Sequence, residues 1–322
     1  MTGEKDSTLL DIQRARRFLA RAFEATPVKL AETLSSESGG NVYLKLENVL
    51  PTGSFKVRGA LWAVSERLSR ESTTEVVAAS TGNHGAAVAY AAGLSGVKAT
   101  IFLPMNSNPV KRDKIASLGA NIIEKGNDVS ASSEAAEEYA SRSGAYLLRD
   151  STDPSIPTGT ATIGCELLEQ VPQLNAIYVP VGDSALIRGI AAGAKMLNRS
   201  VRVVGVQAAQ APSYYLSWKN GAPVTTATCR TIADGLATRE PIEGNVRILR
   251  SIVDEMILVS EDEMLEAMRW LKHKEEVIAE PAGAAATAAF LKDDAGRRHK
   301  DVALIVSGGN VSPEIASRLD SP

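Results

Sequence analysis

Short apolar segments alternate with helix-like segments along most of the chain, and this alternation limits the folds that it can adopt. The apolar segments are residues 76–79, 100–103, 121–123, 145–148, 177–181, 201–206, 256–259 and 302–306. Helical spacing is clearest after the capping-box pattern of residues 260–263, where Met264, Met268 and Leu271 share one face. Strands that alternate with helices predict an α/β fold with mostly parallel sheets.

Composition and charge narrow the class of protein. The 322 residues suffice for two domains, and 44% hydrophobic with 23% charged residues is ordinary for a globular enzyme. A net charge of -3 gives no reason to expect a nucleic-acid or membrane partner. Cys165 and Cys229 are isolated and lack metal-ligand spacing. With no secretory signal at the start, we expect a cytoplasmic protein without disulfides or zinc.

A lysine lies in an unusual setting near the first third of the chain. Residues 52–60 read TGSFKVRGA, so Lys56 stands between Phe55 and Val57 just before a helix-like run. Most lysines are solvated surface charges, because burying an ammonium group is costly. An amine held among apolar neighbours can instead act as a nucleophile toward a carbonyl. Lys56 is therefore a candidate catalytic residue.

Two glycine-containing turns follow predicted strands. Residues 80–85 read STGNHG and precede an alanine-rich helical pattern, while residues 307–310 read SGGN and follow the last apolar segment. Glycines permit a tight turn that leaves backbone amides at a helix N-terminus, which suits an anion such as a carboxylate. Each turn is a common feature when taken alone.

Together, the lysine motif and the two turns resemble the pyridoxal-phosphate enzymes of fold type II. The likeness is greatest to the threonine/serine dehydratase and serine racemase branch. It implies two open, twisted, mostly parallel sheets flanked by helices, as in the tryptophan synthase β-like architecture. It also implies a small domain, residues 75–147, inserted in a larger pyridoxal-phosphate-binding domain of residues 1–74 plus 148–322. We expect a homodimer.

The resemblance assigns roles to individual residues. Lys56 would hold the aldehyde of pyridoxal phosphate as a Schiff base and then remove the substrate α-proton, with Thr81 as the second catalytic candidate. The implied cofactor-binding residues are Phe55, Lys56, Asn83, Gly182, Asp183, Ser184, Ala185, Leu186, Gly235, Glu280 and Ser307. The implied substrate-binding residues are Ser80, Thr81, Gly82, Asn83 and His84. Glu280 is equally well explained as a helix N-terminal charge.

The chain departs from this branch at the phosphate-binding loop. Relatives have four glycines there, whereas residues 182–186 read GDSAL. Helix-start amides and the Ser184 hydroxyl can still bind phosphate. A carboxylate facing a phosphate is repulsive, so Asp183 must turn away, cap the helix, or pair with a cation such as Arg188. We expect it to turn outward.

Two further departures bear on metal binding and on racemisation. Metal-binding relatives have acidic ligands at the positions of Gln207, Ala211 and Ser213, so we expect no metal requirement here. Racemising relatives have a serine where this chain has Thr81, whose β-branched side chain is stiffer. We therefore expect dehydration to be faster than racemisation.

The preferred interpretation is a pyridoxal-phosphate-dependent dehydratase, or ammonia-lyase. It would convert a β-hydroxy amino acid (threonine, serine or a 3-hydroxy analogue) to a keto acid and ammonia. Three alternatives stay open: a serine-racemase-like isomerase, a β-replacement transferase, and a non-catalytic ligand-binding pseudoenzyme. The altered phosphate loop is the feature that favours the last of these.

Overall fold

The computed structural model describes residues 8–292 and 300–319, and over these ranges the chain forms two compact units. The first unit contains Phe23–Phe55 and the described residues from Thr160 onward. The second contains Lys56–Gly159 together with the described residues before Phe23. Each unit is built around one mostly or wholly parallel sheet, so the predicted α/β class is confirmed.

The sheet of the first unit has six strands among the described residues, in the order β1-β2-β10-β7-β8-β9. The strands are β1 (Val28–Leu30), β2 (Asn41–Leu46), β7 (Ala176–Pro180), β8 (Arg202–Ala208), β9 (Glu255–Val259) and β10 (Asp301–Val306). All neighbours are parallel except β1, which runs antiparallel to β2. The parallel strands place their carboxyl ends at one edge, where turns lead into helices.

Helices cover both faces of this sheet. They are α2 (Glu32–Ser38), α7 (Ser155–Gln170), α8 (Ala185–Leu197), α9 (Ser213–Asn220), α10 (Glu243–Ile252), α11 (Glu261–Lys274), α12 (Pro281–Lys292) and α13 (Pro313–Leu319). Helix α7 begins five residues before the boundary at Thr160. Leu304 packs in the core beneath α11 and α12, whereas its neighbour Ile305 packs on the side of α8 and α10. Burial on both faces explains why the strands read as continuous apolar runs.

The second unit contains a four-stranded parallel sheet, in the order β5-β4-β3-β6 over the described residues. Its strands are β3 (Glu75–Ala79), β4 (Lys98–Leu103), β5 (Asn121–Glu124) and β6 (Tyr146–Leu147). Its helices are α1 (Leu9–Leu19), α3 (Lys56–Arg70), α4 (Asn83–Leu94), α5 (Pro109–Ser117) and α6 (Val129–Ser143). Buried α4 is rich in alanine, which lets it pack closely on β3 and β4.

The boundaries of the second unit differ from the expected range of 75–147. The four strands fall inside that range, but α1, α3 and residues 148–159 also belong to the unit. Helix α1 is tied to α3 by the Phe18–Trp62 ring contact and by the Arg14–Glu66 ion pair. An amphipathic pattern shows that a helix has a buried face, but it does not show which sheet that face covers.

The structure contains the predicted strands and the predicted helix cap. All the apolar segments became strands, and the capping box forms, with Ser260 Oγ accepting from the Glu263 N–H. Strands β1 and β2 were not predicted, because β1 is short and a charged residue, Lys45, interrupts β2. None of the described helices combines the length and the apolar character needed to cross a bilayer.

Candidate functional site

Lys56 is the first residue of α3, and its amine is paired with a carboxylate of the same unit. Lys56 Nζ lies 2.5 Å from Asp150 Oδ2, and the two side chains are only 13% and 19% exposed. Asp150 follows β6, which pairs in parallel with β3. Because parallel strands end at the same edge, this carboxylate is at the edge where the turn after β3 also lies.

The turn after β3 leads into α4 and contains the predicted substrate-binding residues. Ser80, Thr81, Gly82 and Asn83 are half-buried, and the Gly82 N–H donates to Ser80 Oγ at 3.2 Å. Gly82 is the N-cap of α4 and provides no side-chain cap. The first N–H groups of a helix have no intrahelical partner, so this N-terminus can receive an anion.

His84 lies in the first turn of α4 and is buried. Its Nε2 is 3.0 Å from the Leu148 carbonyl oxygen, and its Nδ1 is 3.7 Å from Asp150 Oδ2. The imidazole thus joins the turn after β3 to the segment after β6. Lys56, His84 and the Ser80–Asn83 turn are therefore associated in the second unit through Asp150 and these two strand ends.

The other predicted residues belong to the first unit, and several of them are in contact. The Phe55 N–H donates to the Ser307 carbonyl oxygen at 3.0 Å, and the Phe55 ring is buried in the core. Buried Ser307 has its Oγ 3.4 Å from the Ala282 carbonyl oxygen. The Glu280 N–H donates to the Gly308 carbonyl oxygen at 3.0 Å, and the Glu280 carboxylate packs against Gly308.

The turn after β7 is tightly packed and leads into α8. A Cβ atom added to Gly182 would overlap the Gly235 carbonyl oxygen, so the two backbones touch. Ser184 is the N-cap of α8 with φ of 80°, a left-handed conformation that favours glycine, and it makes no side-chain cap bond. Ala185 and Leu186 are buried, so they offer backbone rather than side-chain groups.

Asp183 provides a cap for the same helix. Its Oδ1 accepts from the Ala185 N–H at 3.4 Å. This contact is the capping arrangement that the sequence allows for the carboxylate, and an outward-turned Asp183 stays a prediction. Arg188, its suggested ion-pair partner, is buried in α8.

A buried phenol lies beside the Ser184 hydroxyl. Burial raises the pKa of Tyr214, against the lowering effect of hydrogen bonds from Asn245 and the Ile242 backbone. Asn245 Nδ2 and the Ile242 nitrogen are each 3.3 Å from the Tyr214 oxygen. The phenol therefore stays neutral at ordinary pH.

The positions compared with metal ligands have other contacts. Gln207 Oε1 accepts from the Tyr215 N–H at 2.8 Å, and Ser213 Oγ donates to the Thr238 carbonyl oxygen at 2.6 Å. Over the residues that the structure describes, no group of three His, Cys, Asp or Glu side chains is arranged to hold a metal ion. Independence from metal remains a prediction.

Sequence reasoning missed Asp150. It is 94 residues from Lys56 in the chain, and the segment around it has no motif of its own. One signal was available: residues 145–148 predict a strand, and a carboxylate soon after a parallel strand lies at the edge where ligands bind.

Comparisons with known proteins agree with this geometry. A family model described as pyridoxal-phosphate dependent enzyme matches residues 19–308. An L-threonine ammonia-lyase of Thermotoga maritima is 37% identical over 312 residues, which cover 97% of this chain and 78% of the relative. Maize serine racemase superposes with a TM-score of 0.91 at 30% identity, covering 98% and 97% of the two chains. A threonine deaminase of known structure, from T.th., gives a TM-score of 0.88 at 34% identity, covering 95% and 99%.

The residues present suit the cofactor of that family. Lys56 offers an amine for its aldehyde, and the start of α8 offers amides and a hydroxyl for its phosphate. Gly182 packs closely on Gly235, and Ser184 has a left-handed backbone conformation. An ordinary connecting loop requires neither feature, and strained backbone of this kind is common at ligand-binding sites. The chain belongs to the family of pyridoxal-phosphate-dependent enzymes.

Proposed function

We propose that the chain is an ammonia-lyase that converts a β-hydroxy amino acid, such as threonine, serine or a 3-hydroxy analogue, to a keto acid and ammonia. The observation that carries the proposal is the partly shielded Lys56 amine at the start of α3, in contact with Asp150, which is also 3.7 Å from His84 Nδ1 in the first turn of α4. The names of the relatives that match most of the chain support it.

When bound, pyridoxal phosphate supplies an electron sink for the bond that breaks at the α-carbon. Lys56 Nζ holds the cofactor and then accepts the α-proton of the substrate, while Thr81 is the second candidate for proton transfer. The amides at the start of α4, with Ser80, Gly82 and His84 of the same turn, bind the substrate carboxylate.

Further residues of the chain hold the cofactor. Asn83 would bond the ring oxygen, Ser307 would bond the ring nitrogen, and the turn of residues 182–186 would hold the phosphate. The remaining members of the proposed cofactor-binding set are Phe55, Gly235 and Glu280. Ser307 is a neutral partner that cannot fix a positive charge on the ring nitrogen, which suits elimination of a β-hydroxyl.

A second candidate function is racemisation of serine or a similar amino acid. The similarity to maize serine racemase favours it. Thr81 keeps a hydroxyl at the position of the serine that racemising relatives have, but its rotamers are more restricted. Measuring keto acid and D-amino acid from one L-substrate separates the two functions. Faster formation of the D-isomer would exclude the lyase as the main activity.

The experiment that tests the proposal is reduction of the purified protein with borohydride, followed by peptide mapping and a screen of amino acids for keto-acid release. We expect the label on Lys56, and release from at least one β-hydroxy amino acid. Lys56→Ala should lose activity by several orders of magnitude, because one group has both the covalent and the acid–base role.

Lys125→Ala is the matched control, since Lys125 is an exposed lysine of the same unit. It should keep both the label and the activity. A label on another lysine, or no keto acid from any β-hydroxy amino acid, would refute the proposal.

We also propose that the enzyme is a cytoplasmic homodimer that binds neither nucleic acid nor membrane. Light scattering on the purified protein tests the oligomeric state. A monomer at working concentration would contradict it.

A further inference from the structure

The Asp150 carboxylate contacts the amine that we propose to react. Asp150 Oδ2 is 2.5 Å from Lys56 Nζ and 3.7 Å from His84 Nδ1. Its side chain is mostly shielded from solvent. None of the roles assigned above to the cofactor site or to the reaction uses this carboxylate.

The contact with Lys56 limits the distance between Asp150 and the substrate. A substrate that gives its α-proton to Lys56 must bring its α-carbon close to Nζ. Reacting atoms in productive complexes are about 3–3.5 Å apart, so this carbon falls within about 6 Å of the carboxylate. A group on the β- or γ-carbon can therefore reach hydrogen-bond distance of Asp150.

We propose that Asp150 is a specificity-determining residue whose carboxylate binds a cationic group on the side chain of the amino acid substrate and disfavours a second carboxylate there. This inference rests on the proposed function, in which Lys56 is the reacting amine. The ligand class is a β-hydroxy amino acid with an ammonium group on its side chain.

The physical reason is the charge of a shielded carboxylate. Charges that are partly buried are screened less than those at the surface, so attraction and repulsion over about 6 Å remain effective. A side-chain ammonium next to Asp150 is attracted to the carboxylate, whereas a side-chain carboxylate adds a like charge. The α-ammonium cannot provide this selection, because every amino acid has one.

The test uses the cofactor-loaded full chain and three amino acids that differ mainly in the charge of the γ-substituent and have no β-hydroxyl. These are L-2,4-diaminobutyrate, L-homoserine and L-aspartate. Isothermal titration calorimetry gives their dissociation constants without relying on turnover. We expect diaminobutyrate to bind at least about tenfold more tightly than homoserine, and aspartate to bind most weakly, where tenfold corresponds to about 1.4 kcal/mol.

Three variants test whether the charge of Asp150 sets the order of the dissociation constants. Asp150→Asn should bring the three dissociation constants to within about threefold of one another, while Asp150→Glu should keep the order because it keeps the charge. Glu138→Gln is the matched control, since it removes one exposed negative charge from the same unit away from Lys56. It should leave the wild-type order intact.

Several outcomes would overturn the inference. They include a wild-type enzyme that binds aspartate as tightly as diaminobutyrate, and an Asp150→Asn variant that keeps the wild-type order. If Asp150 only positioned Lys56, Asp150→Asn would slow turnover of all substrates and leave the order unchanged. If Asp150→Asn does not fold, the wild-type order and Asp150→Glu still decide. Failure of the proposed function can be told apart from failure of this inference. It would appear as a borohydride label on a lysine other than Lys56, or as no keto acid from any β-hydroxy amino acid.

Discussion

Helices α4 and α8 each follow a parallel strand, and their N-termini are built differently. Helix α4, after β3, has a glycine N-cap, Gly82, with φ of −116°. Apart from its neighbours in the chain, no described residue has an atom within 4 Å of a Cβ built on it. Helix α8, after β7, has a serine N-cap, Ser184, with φ of 80°, and the preceding Gly182 is packed against Gly235. One turn has open space beside its helix amides, and the other is closed and strained.

The difference fits different ligands. An open turn can accept substrates that enter and leave in every cycle, as we propose for the substrate carboxylate at α4. A closed turn with a backbone held in an unfavourable region suits a group that stays bound, as we propose for the cofactor phosphate at α8. A left-handed conformation is unfavourable for a residue other than glycine, so the surrounding packing must hold Ser184 there.

The largest effect should come from adding a methyl group at Gly182, and the same change at Gly82 should have a much smaller effect. Gly182→Ala would push a methyl group into the Gly235 carbonyl oxygen, and overpacking of this kind costs about 1–3 kcal/mol of unfolding free energy. Gly82→Ala meets open space and should cost less than about 1 kcal/mol. Denaturant unfolding of both variants measures the difference. Equal losses in the two would show that the turns are not packed differently.

A smaller effect should come from Ser184, the strained N-cap of α8. Ser184→Ala and Ser184→Gly both remove the hydroxyl, and each should weaken cofactor affinity by about one to two orders of magnitude, since a charge-assisted bond contributes roughly 1.5–3 kcal/mol. Only the glycine variant relieves the left-handed strain. It should therefore be the more stable of the two by about 1 kcal/mol.

Titration of the cofactor-free apoprotein with pyridoxal phosphate measures the affinity, and thermal unfolding measures the stability. If Ser184→Gly binds the cofactor as tightly as the unaltered protein, the hydroxyl contributes nothing and the amides alone hold the phosphate. If both variants are equally stable, the strain at Ser184 is negligible.

The sequence was most informative where local pattern and tertiary structure demand the same residues. The central strands are buried on both faces, so their apolar runs were visible in advance, and the capping box of Ser260 and Glu263 depends on residues three apart. The lysine motif and the turn of residues 80–85 were visible because they combine glycines with reactive side chains over a few residues. The sequence does not show that these residues group around Asp150, because Asp150 is 94 residues from Lys56 and no local pattern links the two.

Burial of a lysine is a poor guide to its role, and a second lysine shows why. Lys45 on β2 is fully buried, whereas the side chain of Lys56 is 13% exposed. Lys45 Nζ donates to the Thr26 carbonyl oxygen at 2.8 Å, to Glu166 Oε2 at 2.9 Å and to Gln170 Oε1 at 3.0 Å. These bonds satisfy the ammonium group and make it structural. Sequence pattern alone could not find this network, because its members are far apart along the chain.

The smallest effect should come from Asp183, beside the strained N-cap. Its Oδ1 accepts from the Ala185 N–H, and the side-chain carbonyl of an asparagine can accept the same bond. Asp183→Asn therefore removes a negative charge near the proposed phosphate position and keeps the cap. Cofactor affinity should stay the same or rise up to about threefold, which is under about 1 kcal/mol.

Asp183→Ala, which loses the acceptor as well, should lower the unfolding free energy by about 0.5–1 kcal/mol. If Asp183→Asn instead releases the cofactor, the turn after β7 needs the carboxylate itself, and its difference from the glycine turn after β3 would be one of charge rather than of backbone strain.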